Sequence, residues 1–294
     1  MTTLLIILTI VLFILQSLSL KLVKADTLAE KLLSNCFFTL PASVLAGTAG
    51  LLFPGQNGFS PVTLLCGGLF GLCFSMTILF YLSAISCGPL SYASFYLSSS
   101  MLMPAGAGIL FFREEPSISL AVALLFFLTA FYCLSASGGE EKIGRKWLLF
   151  CLLTFLCNGS CGIVQKTQQH LAGGREALGM MSIGFGSAAL CYALCFLILS
   201  RPGGQDVPPK AKPLAVLRRN RLPVCLLALS SMGGNLLLTL LAGQTDGSYL
   251  FPLVQGSIVP GVALCSLIFF REKLTLRGKL GILAGAVGII VLNL

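Results

Sequence analysis

Long apolar runs, separated by short polar connections, make up almost the whole chain. A helix needs about 20 predominantly apolar residues to cross the hydrocarbon core of a membrane, and ten segments have roughly that length. They cover residues 2–20, 31–53, 61–86, 89–112, 117–137, 146–165, 177–200, 222–243, 247–270 and 276–293. The pattern predicts an all-α integral membrane protein with ten transmembrane helices.

Two parts of the chain depart from this regular alternation. Residues 2–20 begin the chain but lack the basic start and small-residue cleavage site of a signal peptide, so we predict a mature spanning helix. Residues 201–221 are rich in proline, glycine and basic side chains. This composition predicts a polar loop, with a short surface helix near Leu214 to Arg219.

A charged pentapeptide occurs twice, as Phe-Phe-Arg-Glu-Glu at 111–115 and as Phe-Phe-Arg-Glu-Lys at 269–273. Each copy ends one apolar segment and precedes another. Other residues also align between the two parts of the chain: Gln16 with Asn158, Lys24 with Lys166, Glu30 with Glu176, Thr77 with Asn235, and Glu114 with Glu272. The offset grows from 142 to 158 along the chain, with its largest step across the 201–221 loop.

The repeat divides the chain into residues 1–139 and 140–294, with five predicted helices in each half. Because five is odd, the second half must enter the membrane from the opposite side. The sequence therefore predicts two inverted repeats, related by a pseudo-two-fold axis in the membrane plane, around a central cavity.

Charge predicts how the helices are oriented. Only 10% of the residues are charged, the net charge is +9, and 16 of the 19 Lys and Arg residues fall in the connections after odd-numbered helices. The positive-inside rule then places those connections in the cytoplasm and both termini outside. We predict a multi-pass protein of the plasma membrane. This distribution between helices argues against a nucleic-acid partner and for membrane lipid.

The twelve cysteines lie almost entirely within apolar segments, where a thiol acts as a small core residue. The chain has one histidine, His170, and no acidic cluster near the cysteines. Metal ligation needs such partners, so we predict no metal site, no cofactor and no disulfide framework. Phosphate-binding loops and paired carboxylates in mid-chain are also missing, and we predict that the protein is not an enzyme and has no catalytic residues.

The chain resembles the drug/metabolite transporter superfamily, and specifically its EamA-like members. The resemblance rests on Pro104 and Pro260 in the fourth and ninth helices, each of which ends near a glutamate, and on Asn158-Gly159-Ser160 followed by Lys166. The glycine-rich last helix adds to it. The resemblance covers essentially the whole chain and implies an inverted-repeat bundle that works by alternating access. The family is usually drawn with both termini in the cytoplasm, whereas the charge count here predicts the reverse.

Neutral polar residues, rather than charges, occupy the middle of the predicted helices. A buried carboxylate is the usual proton-coupling group of antiporters, because burial raises its pKa, and no acidic residue lies at mid-depth. Buried amides and hydroxyls should face the protein interior. We therefore predict a substrate cavity lined by Gln16, Thr77, Tyr81, Tyr92, Tyr96, Asn158, Asn235 and Gln255. Each of them could instead bridge packed helices.

The prolines, glutamates and glycines of the repeat each have two possible roles. Pro104 and Pro260 remove a backbone donor within a helix, which predicts a kink that either gates the cavity or is static. Glu114 and Glu272 precede helices 5 and 10, where they could cap the helix or form a gate ion pair. The glycine pairs Gly67/Gly71 and Gly281/Gly285 predict close helix packing, within the bundle or in a homodimer.

These observations predict a membrane carrier for a small polar or zwitterionic metabolite, such as an amino acid or an amphipathic drug-like amine. Two alternatives stay open. A sugar-phosphate or nucleotide-sugar exchanger would need basic residues in the cavity, for which Lys24 and Lys166 are the candidates. A membrane scaffold or sensor built on the same fold would not transport at all.

Overall fold

A computed structural model describes residues 2–87, 90–135, 144–199, 213–269 and 276–294. Every regular element in these ranges is helical. The helices are α1 (Thr2–Leu22), α2 (Leu28–Leu52), a 3₁₀ turn (Pro54–Gln56), α3 (Pro61–Cys87), α4 (Leu90–Ser99), α5 (Leu102–Phe112), α6 (Ile118–Ser135), α7 (Arg145–Leu171), α8 (Ala177–Leu199), α9 (Pro213–Ala242), α10 (Gly247–Phe269) and α11 (Leu276–Leu292). The predicted all-α fold is confirmed at this level.

Seven of the described helices are long and apolar enough to cross a membrane, namely α1, α2, α3, α7, α8, α9 and α10. The other predicted segments are helical but shorter, and the fourth is divided into α4 and α5. Long apolar helices whose outward faces carry many exposed leucines fit an integral membrane protein. The proposed boundary between the halves, at residue 139, lies outside the described residues.

The division of the fourth predicted helix follows from Pro104. Proline has no N–H, so the carbonyl of Ser100, four residues earlier, cannot receive the usual helical hydrogen bond. It accepts instead from the backbone N–H of Met103 at 3.0 Å, and Met101 N donates to Ser98 O at 3.4 Å. These tighter bonds separate α4 from α5. By contrast, α10 continues through Pro260, whose ring packs 2.9 Å from where a Cβ would lie at Gly285.

Two predicted helix ends lie elsewhere in the structure, and both changes extend a helix. The loop predicted for residues 201–221 ends earlier, because α9 begins at Pro213 and continues through residue 221. The stretch predicted as a short surface helix near Leu214 to Arg219 is helical, but it is the first part of α9 rather than a separate helix. Proline is well suited to the first position of a helix, where no N–H partner is needed. Helix α7 continues beyond the predicted residue 165 to Leu171, because its polar last turns find partners inside the protein.

Close packing of α3 against α8 depends on the predicted glycines. A Cβ at Gly67 would lie 2.9 Å from Cβ of Ile183, and one at Gly71 would overlap the carbonyl oxygen of Gly184. Helix α2 also packs extensively on α8, α3 on α7, α6 on α11 and α1 on α9. Gly67 and Gly71 therefore serve contacts within the chain, and the homodimer stays a prediction.

The connections after even-numbered predicted helices gather at one end of the bundle, which we call the even-loop end. There Gln56 Nε2 donates to Gly174 O at 3.3 Å, and the ring of Phe112 lies against His170. At the opposite, odd-loop end, Lys24 N donates to Asn220 Oδ1 at 2.8 Å. The helices therefore alternate in direction between two ends.

Candidate substrate cavity

A cavity of about 610 Å³ lies between α1, α3, α4, α5, α6, α7, α9 and α10. Its wall extends from Gln165 and Leu238, in the halves of α7 and α9 toward the even-loop end, to Leu20 and Tyr81, toward the odd-loop end. The volume falls within the range of about 300–1,000 Å³ that is usual for small-molecule sites. The described part of the wall contains no Asp, Glu, Lys, Arg or His.

Five of the residues predicted to bind substrate line this cavity: Gln16, Tyr81, Asn158, Asn235 and Gln255. They come from α1, α3, α7, α9 and α10, so the fold brings together positions that are far apart in sequence. Pro104, predicted as a kink, also lines the cavity. Their roles in binding and gating stay predictions.

Three predicted binding residues have other surroundings or fall outside the description. The hydroxyl of Thr77 is buried and donates to the backbone carbonyl of Cys73 at 2.8 Å. The ring of Tyr96 packs edge-to-face on Trp147, with 6.2 Å between ring centres. Neither residue contributes to the cavity wall. The side chain of Tyr92 and the whole of Glu272 lie outside the described part of the chain.

Asn158 joins the cavity wall to the break between α4 and α5. Its Nδ2 donates to Ser100 Oγ at 2.6 Å and to the carbonyl of Leu97 at 3.3 Å. Leu97 O is available because Met101 N donates to Ser98 instead. Leu97 O also accepts from Ser100 Oγ at 2.7 Å, so two side chains replace the helical hydrogen bond that this carbonyl lacks. Asn158 therefore stabilises the interrupted helix.

Gln165, which sequence reasoning missed, is the most buried amide of the cavity wall, at 1% exposure. Its Nε2 donates to Thr239 Oγ1 at 3.0 Å and to the backbone carbonyl of Asn235 at 3.3 Å. Asn235 in turn donates from Nδ2 to Ser231 O at 2.9 Å. The signal that could have found Gln165 is its helical spacing of seven from Asn158, which places both on one face of α7.

Glu114 lies at the even-loop end, and its contacts differ from the cap that was predicted on the following helix. Its two carboxylate oxygens accept the backbone N–H groups of Gly247 and Ser248, both at 2.7 Å, at the start of α10. Oε1 also lies 2.9 Å from Nζ of Lys166. Arg113, with φ of 57°, turns the chain after α5 so that Glu114 can reach inward. Glu114 therefore caps α10, the ninth predicted helix, rather than α6, the fifth predicted helix.

This environment changes the ionisation of Glu114. Burial raises the pKa of its carboxyl, but the hydrogen bonds from Ser248 and Gly247 and the contact with Lys166 outweigh burial, so the pKa lies below its usual value. The carboxylate is therefore charged at neutral pH. Lys166 lies within α7, and its side chain is 12% exposed.

A second polar network at the even-loop end joins the start of α3 to the start of α8. Glu176 Oε2 accepts hydrogen bonds from Ser60 Oγ and Thr63 Oγ1, both at 2.6 Å, and these bonds lower the pKa of its carboxyl. Thr63 Oγ1 also accepts from Gln168 Nε2 at 2.9 Å, which is fully buried. These bonds hold three elements together at the same end as Glu114.

Comparison with known proteins identifies the fold but names no function. No protein-family model matches the chain, and no curated protein matches it. A solved crystal structure of a protein superposes with a TM-score of 0.77 over 99% of this chain and 95% of its own, at 17% identity. At that identity the likeness concerns the fold alone, and it extends over the whole molecule.

Proposed function

We propose that the protein is a membrane carrier for a small polar or zwitterionic metabolite. The observation that carries the proposal is the uncharged, polar and aromatic cavity between helices of both halves. Amides from α1, α7, α9 and α10 converge on a volume that suits a small molecule. If their function were only to join helices, they would pack against one another rather than surround a space of this size.

The packing of the helices supports the two inverted repeats that a carrier of this kind requires. With α4 and α5 counted as one helix, the order of the repeats matches α1 with α7, α2 with α8 and α3 with α9. The contact of α1 with α9 is then equivalent to the contact of α7 with α3. Both pairs are among the extensive contacts of the structure. The contacts of α2 with α9 and of α8 with α3 are also equivalent. A ten-helix bundle with this symmetry would place its site between the halves.

Polar closure at one end supports alternating access. The Glu114 contacts and the Glu176 network both lie at the even-loop end, beyond the level of Gln165, whereas the cavity wall extends toward the odd-loop end. We infer a conformation closed at the even-loop end. Transport would require these contacts to separate in the opposite conformation, with Glu114 as one part of the gate.

The cavity wall gives less support to a sugar-phosphate or nucleotide-sugar exchanger. Such a substrate needs cationic partners for its phosphate. Lys166 is engaged by Glu114 and Thr245 O, and neither it nor Lys24 lines the cavity. A neutral wall favours an uncharged, zwitterionic or amine-bearing solute. We place this carrier in the plasma membrane, oriented by the basic connections after its odd-numbered helices.

The test is uptake of a panel of labelled amino acids, amines and sugar phosphates into liposomes that contain the purified protein, with and without a pH gradient. Gln16→Leu should reduce uptake by about tenfold without reducing expression, because Gln16 makes no hydrogen bond in the described structure and lines the cavity. The control is Thr129→Ala on the exposed face of α6. If no solute moves, the scaffold or sensor alternative replaces the proposal.

A further inference from the structure

Hydrogen-bond donors of the cavity wall are largely engaged by the protein itself. Asn158 uses both N–H bonds of its Nδ2, toward Leu97 O and Ser100 Oγ. A carbonyl oxygen can only accept, so the amide nitrogen must face Leu97 and the orientation of the amide is fixed. The Oδ1 atom of Asn158 accepts no hydrogen bond within the described residues. It is an acceptor that remains for a ligand.

Gln165 repeats this arrangement at the other end of the cavity. Both N–H bonds of its Nε2 point to oxygens, the hydroxyl of Thr239 and the backbone carbonyl of Asn235. The Thr239 hydroxyl donates its own hydrogen bond to the backbone carbonyl of Asn235, at 2.8 Å, so its oxygen can only accept from Gln165. In the described structure Oε1 of Gln165 accepts no hydrogen bond.

Two of the three serine hydroxyls in the described wall are engaged in the same way, whereas the hydroxyl of Ser98 makes no hydrogen bond in the described structure. Ser17 Oγ donates to Phe13 O at 2.9 Å, and Ser100 Oγ donates to Leu97 O at 2.7 Å. The oxygen atoms of these two hydroxyls can still accept a hydrogen bond from a ligand, whereas their protons are already donated to the backbone. Gln16 and Gln255 keep their amide donors, and each also carries a carbonyl oxygen that accepts no hydrogen bond in the described structure. The wall therefore presents more acceptors than donors.

Aromatic rings complete the wall between these acceptors. Phe13, Phe74, Phe131 and Phe251 line the cavity together with Tyr81. The face of an aromatic ring carries partial negative charge and attracts a cation placed within about 6 Å. Carbonyl oxygens attract a cation for the same electrostatic reason and can replace its hydration shell. A carboxylate or phosphate would meet acceptors and ring faces with few donors.

We propose that the cavity selects an organic ammonium, either a protonated primary amine or the amino end of a zwitterion, attached to an apolar or aromatic group. This inference rests on the proposed function, because it names the substrate class of the same site. The ammonium donates its three protons to the free oxygens of the wall, and the apolar group lies among the rings.

The experiment compares three probes that share a phenyl ring and a two-carbon chain: phenethylammonium, 3-phenylpropionate and 2-phenylethanol. Binding is measured by equilibrium dialysis at pH 7 with the purified full-length protein in detergent, against protein-free micelles. We expect the ammonium to bind at least about tenfold more tightly than the carboxylate, since a hydrogen bond to a charged group contributes the equivalent of about tenfold or more.

Variants separate recognition from folding. Gln255→Glu changes a side chain without a hydrogen bond in the described structure, and it should tighten the binding of ammonium and weaken that of the carboxylate. Asn158→Leu removes an acceptor and should weaken ammonium binding by about tenfold. The matched control is Asn293→Leu at the exposed end of α11, which should leave all three affinities unchanged.

Each outcome has a distinct consequence. Preferred binding of the ammonium, tightened by Gln255→Glu, supports the inference. Equal or tighter binding of the carboxylate overturns it and leaves the transport proposal to the uptake assay. Failure of all three probes to bind also overturns it. Ammonium that binds but is not taken up by proteoliposomes supports the selectivity and contradicts transport.

Discussion

Replacing Glu114 by Gln should destabilise the protein far more than the same change at its neighbour, Glu115. The carboxylate of Glu114 accepts two backbone hydrogen bonds at 2.7 Å and faces Lys166 at 2.9 Å, and the residue is only 9% exposed. Glutamine has nearly the same shape but one acceptor fewer and no charge. Glu115 is exposed and serves as the matched control.

The expected cost follows from what the substitution leaves behind. One of the two N–H groups, at Gly247 or Ser248, would face an amide nitrogen that cannot accept. The Lys166 ammonium would retain the carbonyl of Thr245, at 2.9 Å, as its described acceptor. Breaking a fully buried ion pair costs about 3–5 kcal/mol and a surface pair about 0–1 kcal/mol. With side-chain exposures of 12% and 5%, the loss should be about 2–4 kcal/mol.

The assay is the apparent free energy of unfolding in detergent micelles titrated with SDS. Glu115→Gln should change it by less than about 0.5 kcal/mol. A double-mutant cycle with Lys166→Met isolates the interaction between the two side chains, which should be at least about 1 kcal/mol. If Glu114→Gln is as stable as Glu115→Gln, the carboxylate does not hold the even-loop end closed and the assignment of Glu114 to a gate fails.

Two further substitutions test the packing and the second polar network. In the same unfolding assay, Gly71→Ala should destabilise the protein by about 1–3 kcal/mol, because its Cβ would overlap Gly184 O. The control is Gly68→Ala, which should not destabilise the protein because nothing lies within 4 Å of the added Cβ. The pKa of Glu176 is lower in the folded protein than in the unfolded chain, because its hydrogen bonds favour the charged carboxylate. These bonds therefore stabilise the folded protein fully at pH values above the unfolded pKa, and this stabilisation is lost as the pH falls through the folded pKa. Wild-type protein should therefore be more stable than Glu176→Gln by about 1 kcal/mol at pH 7. The difference should begin to fall near the ordinary Glu pKa of about 4.3 and vanish below the lower folded-state pKa, and a difference that stays constant with pH would contradict this.

Hydropathy along the chain was sufficient to predict most of the helices. Apolar length and proline or glycine content are local properties, so they predicted α1, α3, α8 and α10 nearly to their observed ends. The same reasoning selected Gln16, Asn158, Asn235 and Gln255, because a polar side chain within an apolar helix must face the interior. The structure brings all four to one cavity.

Which partner each polar group contacts was decided only by tertiary packing. Glu114 caps a helix that begins 133 residues later, and Asn158 reaches a backbone carbonyl 61 residues away, at the break between α4 and α5. Neither pairing has a signature in the local sequence. The composition of each segment determines that it enters the membrane, since transfer from water depends on that segment's own side chains. The distances between segments determine which donor bonds to which acceptor.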